Sequence, residues 1–157
     1  MLAMQSNLAM TYSALGRVEE ALSVRKDVYS GYLNLFGKEH AHTLVAVNNY
    51  ASTLNNLQRC GEAKSLLRKM IPDARRSVGD SNDNTLRLRW NYARALCNDP
   101  AATLDDLREA VTTLEETTRI ARRVFGGAHP ITDGMEGELP KARAALRARE
   151  TPPATSV

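Results

Sequence analysis

The chain has 157 residues, of which 43% are hydrophobic, 5% aromatic and 25% charged, with a net charge of +3 and two cysteines. That is one domain's worth of chain with enough apolar residues for a core, which excludes a disordered polypeptide, and the mild charge makes no demand for nucleic acid. Two cysteines, Cys60 and Cys97, are too few for a disulfide framework and form no Cys-x-x-Cys pair for zinc; the opening MLAMQSNLAM has neither the basic region of a secretory signal nor a run long enough to cross a membrane. A reduced, cytoplasmic chain with no membrane contact is expected.

The first predicted helix covers residues 2–15 and ends at Gly16. It has no capping residue ahead of it, and its outer face is apolar where terminal units of an array normally turn polar. A fragment of a longer array is therefore expected, or self-association through this uncapped N-terminal helix. A second helix follows at about 18–35, with Ser30-Gly31 in its course, and a glycine there costs about 1 kcal/mol against alanine.

The next pair falls at about 41–57 and 60–77. Val47, Tyr50, Ala51, Leu54 and Leu57 make one apolar stripe at helical spacing, and Ala63, Leu66, Leu67, Met70, Ile71 and Ala74 make another. Pro72 lies 42 residues after Ser30. Proline removes a backbone donor, so both second helices are expected to bend at the same place. A third pair spans about 83–97 and 103–125, split by Asn98-Asp99-Pro100. Thr103 reads as the cap of its second helix, with Asp106 near the free amides. His129-Pro130 marks another start, but Gly134, Gly137 and Pro140 predict poor helix over 131–139 and a short final helix at about 140–149. Residues 151–157 are rich in Pro and Thr and are expected to be a disordered tail.

These elements are one unit laid down three times. Asn7-Leu8-Ala9, Asn49-Tyr50-Ala51 and Asn91-Tyr92-Ala93 follow at steps of 42 residues, as do Gly37 and Gly79, and Thr43 and Thr85. From Gly79 to Gly126, Ala63 to Ala110 and Thr85 to Thr132 the step is 47, so a single five-residue insertion near residues 98–100 accounts for all three. Each glycine follows a second helix and suits the left-handed conformation that ends one.

The pattern NNYAxxLxxLxxxGEA at 48–63, with the later FGGAHPIT, resembles the tetratricopeptide repeats of the kinesin-light-chain type. Such units are longer than the roughly 34 residues of the common version. The resemblance covers about residues 2–149. This sequence departs from it at Gln58, where Gly16 stands one unit earlier, at the 97–100 insertion, and at Glu138-Leu139-Pro140, which replaces the Asn-aromatic-Ala triplet. The resemblance implies an all-α, right-handed solenoid of helical hairpins with about three and a half repeats. It divides the domain, 1–150, into units at about 1–37, 38–79 and 80–126 and a partial capping repeat at 127–150. It also implies no catalysis and no cofactor, and a concave face, lined by the first helices, that binds a peptide or protein segment.

Opposite the core stripe, helical spacing sets out Asn48, Ser52, Asn55 and Asn56 in the second unit. Arg87, Trp90 and Arg94 are their counterparts in the third, and Lys141 stands in the last helix. In families of this type, asparagines and basic residues at these places hold an extended peptide. Amides both donate to and accept from a backbone, Arg offers a fork to carboxylates, and Trp gives a flat anchor. These eight residues are the candidate peptide-binding set, and an acidic partner is expected. The plainer reading packs Trp90 between helices. Two other functions stand beside it: a purely structural segment of a longer scaffold, and an RNA-binding helical repeat, against which the 42-residue step and low charge argue. Glu39-His40-Ala41-His42 sets two histidines astride a helix start with no third ligand, so no metal is expected. His40 and His129 occupy matching places and are expected to share a turn role. No nucleophile elbow or phosphate-binding glycine loop is present.

Overall fold

The computed structural model describes residues 1–151, among which there are seven helices and no strand. They are α1 (Leu2–Ala14), α2 (Val18–Phe36), α3 (Ala41–Asn56), α4 (Cys60–Val78), α5 (Asp83–Asn98), α6 (Leu104–Phe125) and α7 (Pro130–Glu150). The first six pair in sequence as hairpins, each second helix packs on the next first helix, and α7 closes against α6 and α5. The result is an all-α repeat solenoid.

The repeated alanines explain the spacing of the rods. Ala9, Ala51 and Ala93 in the first helices and Ala21, Ala63 and Ala110 in the second helices are fully buried, where a larger side chain would hold the axes apart. Around them Leu44, Val47, Leu67, Leu88, Leu96 and Leu114 form a continuous core through the second and third hairpins. Each buried aliphatic side chain of this kind contributes about 1.5–3 kcal/mol.

The repeated turns use one chemistry. Gly37, Gly79 and Gly126 have φ of 83°, 90° and 85° with ψ of 174°, 166° and 165°. That is not the left-handed helical conformation expected from the sequence but the extended region beyond it, which is essentially closed to side-chain-bearing residues. Three residues on, the next first helix is capped by His40, Asn82 or His129. His40 Nδ1 accepts from the His42 amide at 3.2 Å, Asn82 from the Asn84 amide at 2.9 Å, and His129 Nδ1 from the Ile131 amide at 3.3 Å. The two imidazoles also stack on the last aromatic of the preceding helix, at 4.3 Å from Phe36 and 4.7 Å from Phe125. The matching histidines thus share a turn role.

The reading of the last helix is corrected. The last helix is not a short one at 140–149: α7 begins at Pro130 and runs through Gly134, Gly137 and Pro140. Tertiary packing overrides local propensity here, because the Trp90 ring lies on Gly134 so closely that a Cβ there would be 2.3 Å from it. α2 and α4 are each one unbroken helix through Ser30-Gly31 and Pro72. Gly31 admits the Leu2 side chain of α1, 2.7 Å from where a Cβ would stand. Thr103 and Asp106 form the reciprocal cap read from the sequence, at 3.1 and 3.0 Å. The predicted tail lies outside the described residues except for Thr151.

Candidate functional site

The junction between α3 and α5 is tied by side-chain amides. Asn48 Nδ2 donates to the Asn84 carbonyl at 3.1 Å, and Asn55 Nδ2 donates to the Asn91 carbonyl at 3.0 Å. Asn91 returns a longer contact to Asn48 Oδ1 at 3.3 Å. Asn48 and Asn55 are buried. They sit one unit apart from their partners, so the ties span two repeats and set how closely α3 approaches α5.

Above this floor lies a recess of about 210 Å³, lined by Asn48, Asn49, Ser52, Arg87, Trp90, Asn91 and Arg94. Five of the eight candidates from the sequence therefore meet there: Asn48, Ser52, Arg87, Trp90 and Arg94. Asn55 lies beneath, tied to α5. Asn56 is exposed and accepts from Arg94 at 3.4 Å. Lys141 is exposed on α7, 3.6 Å from Glu138, and does not line the recess. Asn49 and Asn91 were legible only as landmarks of the repeat, yet both line the recess. Their signal was the same one: an exposed or half-exposed amide recurring at a fixed step.

The recess is electropositive. Arg87 pairs with Asp83 at 2.9 Å along its own helix. Arg94 has no ion-pair partner among the described residues. Trp90 serves two ends: its ring tip packs on Gly134, and the residue also lines the recess. Neither thiol is prepared for chemistry, since burial pushes Cys97 up to about 11 and raises Cys60 as well. Among the described residues no group of three or more His, Cys, Asp or Glu could hold a metal, and no helix is long and apolar enough to cross a membrane.

Residues 1–72 match the family model of the tetratricopeptide repeat. Two solved structures align over 95% of this chain and 68% of theirs, both of a Podosopora anserina protein described as a kinesin light chain with nearly identical TPR-like repeats. One, a single-substitution variant of that protein, has a TM-score of 0.74 and the other 0.71, each at 25% identity. A comparison with the curated proteins gives no match. The class is that of the tetratricopeptide-type repeat solenoids, whose members generally mediate protein–protein interaction. Within it, residues 1–72 match the tetratricopeptide repeat, and the chain as a whole is similar in fold to repeat proteins of the kinesin-light-chain type.

Proposed function

We propose that the chain is a non-catalytic binding module that takes an acidic peptide or protein segment across its first helices, with Arg87, Trp90 and Arg94 as the main contacts. The observation that supports it is the recess itself, where amides, a half-buried indole and an arginine without a carboxylate converge on one opening. An extended chain presents backbone groups to Asn48, Asn49 and Asn91, and an acidic side chain completes Arg94. Net contributions of about 1 kcal/mol per contact give affinities on the order of micromolar, weakened by salt. Titration read through Trp90, the one tryptophan, tests it. Acidic peptides are expected to shift its emission, and Arg94→Glu to abolish the response; an unchanged response in that variant sinks the reading.

A second reading, a structural segment within a scaffold, draws on α1. Met4 is 74% exposed, Met10 64% and Leu15 65%. A dimer that sediments as such and is lost on Leu15→Glu favours it.

A further inference from the structure

The notch that precedes the recess by one unit is built differently. It has a volume of about 240 Å³ and is lined by Ser6, Met10, Arg25, Val28, Ala46 and Asn49. Ser6, Met10 and Asn49 stand 42 residues before Asn48, Ser52 and Asn91, so the two openings occupy the same place in successive repeats. Their floors are not alike. No Cα of α1 comes within 8 Å of α3. Ser6 and Ser13 replace the tying asparagines, and Ser6 turns back to its own helix, donating to the Leu2 carbonyl at 3.1 Å.

Through the gap reaches Arg25, from α2. Its Nη1 donates to Thr53 Oγ1 and lies 3.5 Å from the Asn49 carbonyl. The matching carbonyl one unit later, that of Asn91, is taken by Asn55. A charged donor thus stands where the next junction has a neutral one. It forms no ion pair with any described carboxylate, and desolvation alone draws its pKa below the ordinary guanidinium value. A half-buried cation without a counter-ion is a place where an incoming anion gains more than at an open surface.

We propose that this notch is a second carboxylate-binding subsite, in which Arg25 receives an acidic side chain of a peptide that also engages Arg94. The proposal rests on the groove reading only for the peptide's second anchor. Neighbouring packed helices lie about 8–10 Å apart and the α1–α3 gap is wider, while an extended chain advances about 3.3 Å per residue. The two acidic residues should therefore stand about three to four positions apart.

The probe is a fluorescein-labelled acetyl-Ser-Glu-Ser-Ser-Ser-Glu-Ser-amide, with each Glu changed to Gln in turn, followed by anisotropy against the full chain. Arg25→Met should weaken the diacid about tenfold and become indifferent to one of the two Gln replacements. Arg94→Met should become indifferent to the other. Thr53→Val removes the hydroxyl that Arg25 holds but keeps the charge, and should leave both preferences intact. If Arg25→Met weakens all three peptides equally, or none, Arg25 is a tie between helices and the proposal is overturned. If Arg25→Met behaves as expected while Arg94→Met changes nothing, the groove reading falls and the Arg25 subsite stands. The Arg25 Nε–H resonance provides a measurement on the unaltered chain: acetate should shift it and acetamide should not, and an equal response to both overturns the proposal.

Discussion

The α1–α3 and α3–α5 junctions occupy equivalent places in successive units, yet one is open and the other closed. At the closed one, Asn48 and Asn55 reach across to backbone carbonyls of α5. At the open one, Ser6 and Ser13 are too short to reach, and Arg25 comes from the second layer instead. The alanine spacing is common to both units, so it does not set this difference. The apolar stripe is not common, since α1 buries only Ala9 where α3 buries Leu44, Val47, Ala51 and Leu54. The polar atoms able to cross from one rod to the next differ as well.

The most severe way to break that contrast is N48S/N55S, which gives the second junction the residues of the first. Losing two bonds, with the donors buried, should lower stability by about 2–3 kcal/mol in urea titration. Amide exchange in α5 should rise more than in α6. Unchanged stability would mean that apolar packing alone holds α3 to α5.

A third junction sharpens the point, because α5 meets α7 without amides. Trp90 and Cys97 stand 42 residues after Asn48 and Asn55, and the indole packs on Gly134. Gly134→Ala forces a methyl into the ring and should lower stability by about 1–3 kcal/mol, with a shift in Trp90 emission. A silent substitution would show that α7 moves away without loss.

Much of this was legible in the chain. Asn, Ala, Gly and Thr at steps of 42 and then 47 marked the units and the insertion, and Thr103 with Asp106 marked the start of α6 correctly. What escaped was whatever depends on a neighbour in another unit. Gly134 and Pro140 read as breakers because the ring of Trp90 is 44 residues from Gly134 in sequence. Asn55 falls on the outward face of its own helix, and only the presence of α5 makes that face an interior one. Arg25 gave no periodic signal. The serines at 6 and 13, set against asparagines at 48 and 55, were the one hint that its junction differs.

The reverse exchange, S6N/S13N, should draw α1 toward α3. Its expected gain is about 1 kcal/mol, less than the loss at the other junction, because Arg25 already occupies the Asn49 carbonyl that the new amide in place of Ser13 would seek. Closing the gap should also remove the preference for acidic peptides assigned to Arg25. A stabilised variant that keeps this preference would separate the opening of the junction from the exposure of the arginine.

The smallest effect lies at the hairpin turns, where the same two units differ again. Gly16 and Gln58 end α1 and α3 with φ of 74° and 58°. Both turns close identically: Gly16 donates to the Ser13 carbonyl and Arg17 to Tyr12, as Gln58 donates to Asn55 and Arg59 to Leu54. The second turn therefore holds a side-chain-bearing residue in a conformation that costs it about 1–2 kcal/mol. Glycine would relieve that strain, offset by about 0.5–1 kcal/mol of extra chain entropy lost on folding. Gln58→Gly should consequently raise stability by about 0.5–1 kcal/mol, or about 2 °C in melting temperature for a chain of this size. Gly16→Gln should lower it by a similar amount. Because the backbone bonds are the same in both turns, any larger change would have to come from the Gln58 side chain itself.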